Sequence, residues 1–151
     1  MAGAKWTIYW NEYSADTYLY GSEITYHKKD DVEFKNLLMP PGTVIKQWYS
    51  KTNFQIQKIE PALPMIDGES KYRITIHIDC PEKENCQVRL VFYDRYEMEA
   101  GSITIRDKEA EFQCPLKTYS YQMQLINGGV TEFHFHSIVI QEVIDETEGE
   151  Y

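Results

Sequence analysis

From Lys71 to Asp79 the chain reads KYRITIHID. Tyr72, Ile74, Ile76 and Ile78 alternate with Arg73, Thr75, His77 and Asp79, a two-residue period that fits an extended strand with one dry and one wet face. A helix through the same stretch would scatter the isoleucines around its axis. QVRLVFYD, from Gln87 to Asp94, repeats the alternation with Val88, Leu90 and Phe92 on one side and Arg89 and Tyr93 on the other. The polar PEKENC between the two runs suggests a hairpin.

The rest of the second half obeys the same period. MEAGSITIRDKEAEFQCP reads as two short strands around a turn at Asp107 and Lys108, ended by Pro115, which has no N–H to give a ladder. TYSYQMQLIN places Tyr119, Tyr121, Met123 and Leu125 inward, opposite Ser120, Gln122 and Gln124. Asn127, Gly128 and Gly129 then turn into EFHFHSIVI. Earlier strands are expected at Trp6 to Trp10, Ser22 to His27, Val32 to Phe34 and Thr43 to Ser50. LMPPGT and EPALPMIDGES hold four of the six prolines and fit loops that cross between sheets. Many short strands about ten residues apart and no convincing helix specify an all-β fold, an antiparallel β-sandwich of jelly-roll type. We expect a single domain over residues 1–144 and a frayed acidic tail over 145–151.

Charge narrows the function. Fifteen Lys and Arg against 24 Asp and Glu leave a net charge of -9, the wrong sign for displacing counterions from a phosphate backbone, so nucleic acid is not an expected partner. The N-terminal residues show no export signal, and no apolar run approaches the roughly 18 residues of a membrane span. Cys80, Cys86 and Cys114 lack C-x-x-C spacing and read as reduced thiols.

His134 and His136 stand one residue apart and, by parity, share the outer face of the last strand. In jelly-roll enzymes such a pair holds a metal when a carboxylate and a third His join it. His27 and His77 are the only other histidines, and no carboxylate is tied to this strand by spacing, so no metal and no cofactor are expected. Ile138 and Ile140 fall on the histidines' parity. Either the strand bulges near Ser137 and switches faces, or a partner chain covers its end. Nucleophile elbow, zincin, phosphate-loop and dinucleotide-binding patterns are absent, and no catalytic residue is assigned.

The outward residues of these strands are mostly amides, guanidinium groups, imidazoles and phenols, which suit a hydroxyl-rich ligand or a polar protein surface. On strand parity the candidate ligand or partner face comprises Trp48, Tyr49, Arg73, Arg89, Gln122, Gln124, His134 and His136. Tyr18 and Tyr20 add rings to segments where some should lie outside.

IYWNEYSADTYLYGSEITYH, LMPPGTVIKQWYSKTNFQ and YSYQMQLINGGVTEFHFHSIVI occur in that order and resemble the third, small partner protein family of the accessory Sec system of Gram-positive cocci. The resemblance runs from about Trp6 to Glu142. It implies a fold like a carbohydrate-binding module and a cytoplasmic, non-catalytic component recruited peripherally to the membrane translocase. It further implies two larger partners, one glycosyltransferase-like and one acetyltransferase-like, an ATPase motor, and a serine-rich glycoprotein preprotein as cargo. The alternatives are an autonomous carbohydrate-binding module that takes a glycan and, behind it, a cupin-like metal enzyme built on the H-x-H pair.

Overall fold

The computed structural model describes residues 5–10, 16–50, 63–64, 66, 68, 70–80, 86–129 and 131–143. Among them there are eleven strands and no helix: β1 (Lys5–Ile8), β2 (Asp16–Thr17), β3 (Glu23–Lys28), β4 (Asp31–Lys35), β5 (Val44–Tyr49), β6 (Lys71–Asp79), β7 (Cys86–Tyr93), β8 (Glu99–Ile105), β9 (Glu109–Gln113), β10 (Ser120–Asn127) and β11 (Glu132–Val143). The expected tail over 145–151 lies outside the described residues.

The strands form two antiparallel sheets. One runs β3-β4-β11-β6-β9, with β1 paired to the far half of β11, and the other runs β2-β5-β10-β7-β8. The chain changes sheet at every connection except β3 to β4 and β7 to β8. This is the sandwich with crossing loops that the alternation demands; LMPPGT falls at the crossing from β4 to β5 as expected, while EPALPMIDGES lies largely outside the described residues.

The expected hairpin over PEKENC is corrected. β6 pairs with β11 and β9, and β7 with β10 and β8, so the two strands sit in opposite sheets. Their dry faces meet across the core instead of lying side by side. Alternation fixes which face of a strand is dry, but says nothing about which strand lies beside it.

Rings join the layers. Trp48 of β5 stacks on Phe135 of β11 at 5.6 Å between ring centroids, and Phe92 of β7 meets Phe112 of β9 at 6.3 Å. Trp10 closes one side of this cluster against Phe34, Phe133 and Phe135. Tyr72, Ile74, Ile76 and Ile78 are buried as the period requires, and so are Val88, Leu90, Phe92, Tyr121, Met123 and Leu125. Tyr119 is not. At 54% exposed it precedes β10 and escapes the strand's register, with its N–H donating to the Tyr93 carbonyl at 2.7 Å.

β11 answers the question raised by Ile138 and Ile140. Its register against β6 shifts between Phe135 and Ser137, so His136 is an extra residue and every side chain beyond it changes face. Phe133 and Phe135 point inward before the bulge, and Ile138 and Ile140 after it. No partner chain is needed to cover the isoleucines, and Val139, inward by sequence parity, lies opposite Thr75 on the other face.

Candidate functional site

The eight candidate residues separate into three places. Trp48 is removed from any face: its strand register sets it opposite Met123, it is 0% exposed, and its indole N–H donates to the Tyr9 carbonyl at 3.2 Å. Tyr49 has the outer parity, opposite Gln122, but is only 8% exposed. Adjacent residues of a strand point to opposite faces, so the pair cannot share a surface.

Arg89, Gln122 and Gln124 do come together on the outer face of the second sheet. Gln124 lies opposite Arg89 on one side and Gln47 on the other, and its amide donates to the Gln47 side-chain oxygen at 3.4 Å. This row of amides and a guanidinium offers planar donors and acceptors at strand spacing.

Arg73, His134 and His136 lie on the other sheet. Arg73 is already occupied, bonding Glu111 at 3.0 Å and Glu109 at 3.3 Å. The histidines meet acids that spacing could not reveal, because strand pairing delivers them from β4, the β3–β4 turn and β6. His134 Nδ1 lies 3.1 Å from Asp31 and its Nε2 3.9 Å from Glu33. Glu33 also meets His27 at 3.3 Å, and the His27 and His134 rings stack at 6.3 Å. The hydrogen bond from His134 holds the Asp31 carboxyl below its ordinary pKa.

His136, lifted out by the bulge, faces the Asp30 carbonyl from Nδ1 at 2.7 Å and an Asp79 oxygen from Nε2 at 2.8 Å. An imidazole satisfies two acceptors only when both nitrogens carry protons. Asp79 therefore raises the His136 pKa above its usual value, with the Asp30 carbonyl acting in the same direction and partial burial opposing it. The charged pair contributes stability below the ordinary histidine pKa, as long as Asp79 stays ionised, and that contribution fades as pH climbs through the raised value. In an NMR titration His136 should show a midpoint above 6.5 that falls in Asp79→Asn. A midpoint at or below the ordinary value would contradict the contacts described. Among the described residues no group of three or more His, Cys, Asp or Glu side chains is arranged to hold a metal ion.

A surface that strand parity does not single out lies at the β7–β8 end. Asp94, Arg95, Tyr96, Leu116, Lys117, Thr118 and Tyr119 line an open cleft of about 450 Å³. Asp94 shapes its near wall by accepting the N–H groups of Tyr96 and Met98 at 2.8 and 3.1 Å, with Glu97 between them at φ 64°. Tyr96 and Leu116 are exposed, and the Thr118 hydroxyl is buried with no hydrogen-bond partner among the described residues. The one sequence signal is a ring inside a charged turn, DRYEM, which no strand parity accounts for.

Around the β3–β4 hairpin a second apolar surface emerges. Leu19, Tyr20, Leu37 and Leu38 are between 69% and 74% exposed, and buried Asn36 ties their two loops together. Its amide donates to the Tyr20 carbonyl at 2.7 Å and the Ser22 hydroxyl at 3.0 Å, while its oxygen accepts the N–H groups of Leu38 and Met39, both at 2.9 Å. Four large apolar side chains held in water on two tethered loops form the kind of patch that marks a docking surface.

The family model for accessory secretory protein 3 of the accessory Sec secretory system matches residues 17–142. The chain is 34% identical over 151 residues to the accessory Sec system protein of that family from Streptococcus gordonii, covering 94% of this chain and 95% of that protein. It superposes with a TM-score of 0.85 and 28% identity on a chain in the crystal structure of accessory secretory protein 1, 2 and 3 of Streptococcus pneumoniae, covering 91% of this chain and 96% of that one. A chain of the Glycosylation Associate Protein (Gap123) complex of Streptococcus agalactiae matches at TM-score 0.84 and 30% identity over 94% of this chain, which spans 46% of that longer chain. The fold alone is shared with a Clostridium thermocellum xylanase structure containing a CBM22-1 module, at TM-score 0.54 and 12% identity over 92% of this chain and 28% of that one.

Proposed function

Because the chain belongs to the accessory secretory protein 3 family of the accessory Sec system, we propose that it serves as the non-catalytic adaptor of that apparatus, docking on two larger accessory secretory proteins. In this reading one partner is glycosyltransferase-like and the other acetyltransferase-like. Together the three hold a serine-rich glycoprotein preprotein ready for the ATPase motor, in the cytoplasm beside the membrane translocase. Two similar solved structures bear the names of three-component complexes, which supports the larger partners. The observation that carries the adaptor role is the apolar patch of Leu19, Tyr20, Leu37 and Leu38, held in place by Asn36.

Co-expression with the two larger proteins, followed by size-exclusion chromatography, tests the reading. The chain should co-elute with them. Leu37→Asp together with Leu38→Asp, checked for folding by circular dichroism, should weaken association at least about tenfold, or about 1.4 kcal/mol. A wild-type chain that never co-elutes overturns the adaptor role. A double variant that binds unchanged removes the patch from it.

The amide row favours a second reading, a carbohydrate-binding module. Gln47, Gln122, Gln124 and Arg89 present planar hydrogen-bonding groups, and the Tyr96 cleft adds an exposed ring. Because Trp10 and Trp48 are buried, the appropriate reporter is the NMR signal of the Gln122 and Gln124 side-chain amides during titration with N-acetylglucosamine-bearing peptides. Unmoved amides at millimolar sugar rule this face out.

A further inference from the structure

We propose that the ring-lined cleft beyond β7 and β9 is a second protein-docking surface, and that the chain is a two-ended bridge: one larger accessory protein sits on the apolar patch of Leu19, Tyr20, Leu37 and Leu38, the other on the cleft. The inference rests on the adaptor reading above and deepens it. Among the described residues nine large apolar side chains are exposed. Eight of them fall into two groups of four: the patch just named, and Tyr96, Met98, Leu116 and Tyr119, which are between 54% and 80% exposed. Tyr26, on β3, is the ninth. Apolar side chains scattered singly over a surface need no partner, whereas grouped ones mark contact surfaces.

Strand pairing puts the two groups at opposite rims of the sandwich. β10 lies antiparallel to β7, with Ser120 opposite Tyr93 at one end and Asn127 opposite Cys86 at the other. Tyr96 and Met98 belong to the turn that follows Tyr93, and Leu116 and Tyr119 to the loop that precedes Ser120. The leucine loop belongs to the other end. There the Asn36 N–H donates to the Thr131 carbonyl at 2.8 Å, the Asn127 carbonyl accepts the Gly42 N–H at 2.8 Å, and the Asn127 amide donates to the Pro40 carbonyl at 3.2 Å. Asn36 then brings the Tyr20 loop to the same rim. The eight residues of β10, at about 3.3 Å per step, hold the rims roughly 23 Å apart. A protein seated over one rim leaves the other open.

The two surfaces also differ in chemistry, as they should if each takes its own partner. Three leucines and a tyrosine make the first. The second sets Tyr96, Leu116 and Tyr119 around a cleft beside Arg95 and Lys117. Neither cation has an ion-pair partner among the described residues. Asp94, the acid among the lining residues, is engaged by the N–H groups of Tyr96 and Met98. That turn is therefore shaped before anything binds, and docking has little left to order. Tyrosine and arginine are the side chains that most often anchor protein contacts. The occupant that fits is a protein surface that inserts an apolar side chain between the rings and sets carboxylates against Arg95 and Lys117.

The experiment titrates each purified larger protein against the full chain by biolayer interferometry. Tyr96→Ala together with Leu116→Asp, both at exposed positions and checked by circular dichroism, should weaken one larger protein at least about tenfold and leave the other within about twofold. Leu37→Asp with Leu38→Asp should do the reverse. Lys117→Glu should weaken the same partner as the Tyr96 variant, and high salt should weaken the wild-type contact more than the Lys117→Glu contact. In the three-protein complex, a measurement that needs no variant, hydrogen exchange should slow at residues 94–98 and 115–119 as well as at 19–20 and 36–39. Both double variants losing the same partner, the larger proteins displacing each other from the chain, or exchange unchanged at 94–98 overturns the bridge and leaves the adaptor standing. Self-association that the Tyr96 variant abolishes gives the cleft to a second copy. Tyr96 ring signals that move with N-acetylglucosamine-bearing peptides and with neither larger protein give it to a sugar. Either result overturns the proposal. A wild-type chain that binds neither larger protein overturns the adaptor reading itself.

Discussion

Replacing Asn36 with leucine should destabilise the protein by about 2–4 kcal/mol, because the buried backbone groups that its amide serves lose their partner. Asn36 is 1% exposed, and its side chain uses both donors and both acceptor lone pairs on Tyr20, Ser22, Leu38 and Met39. Leucine leaves the N–H groups of Leu38 and Met39 and the Tyr20 carbonyl unserved, at about 1–3 kcal/mol for each group that stays dry. The total is less than threefold that figure because the loops of Tyr20 and Leu38 regain water. Urea unfolding reads the loss as a midpoint lowered by about 1–2 M. Asn36→Asp keeps the acceptors, loses the amide donors and should fall between leucine and wild type. A leucine variant within about 0.5 kcal/mol of wild type would mean that Asn36 does not hold the apolar patch. If it does, the variant should lose affinity for the larger partners along with stability.

Gly68→Ala should cost about 2–3 kcal/mol for a single added methyl. A Cβ there would stand 2.6 Å from the Pro115 carbonyl oxygen, 2.7 Å from Leu116 Cα and 2.9 Å from the Pro115 carbonyl carbon. All three are backbone atoms and cannot rotate away. The 115–119 loop must move, and with it the Thr118 N–H bond to Pro115 and the Tyr119 N–H bond to Tyr93. Differential scanning calorimetry should show a Tm lower by about 6–10 °C. Gly101→Ala is the control. Its Cβ would meet only the ring of Pro115, at 3.2 Å, so the expected change is under about 1 kcal/mol. If the two variants melt together, contact with the loop backbone is not what requires glycine at position 68.

The inward faces of β6, β7 and β10 are legible in the sequence, because apolar residues recur every two positions over Tyr72 to Ile78, Val88 to Phe92 and Tyr121 to Leu125, even though Val91 is also buried, on the opposite parity of β7. Sheet membership is not. β6 and β7 carry the same pattern whether they pair as neighbours or face each other across the core, and only the pairing partners distinguish the two. β5 misleads for another reason. Its burial runs iBBiBB with Lys46 buried beside Ile45, so alternation there gives no clean parity, and Trp48, assigned outside by pattern, is among the most buried side chains. Lys46 is covered by indole rings, with Nζ 4.6 Å from the centre of Trp10 and bonded to Thr17 at 2.8 Å. Such a cation–π enclosure hides a charge from pattern reading altogether.

The candidate site divides along the same line. Parity groups Arg89, Gln122 and Gln124 correctly because β7 and β10 are regular and adjacent. The acids around His134 and His136 are invisible to it because Asp31, Glu33 and Asp79 arrive from distant strands. Tyr96 and Leu116 escape it because loops have no period to read.

The register shift in β11 bears on how the gene can drift. Deleting codon 136 would leave Phe135, Ser137, Ile138, Val139 and Ile140 in unbroken alternation, with every core side chain still facing inward. Deleting codon 137 instead does the same, with His136 in the outward place, whereas a length change of one within Phe133–Phe135 or Ile138–Ile140 would turn part of the core out to water. Positions 136 and 137 are thus where the strand can shed one residue without cost to the interior.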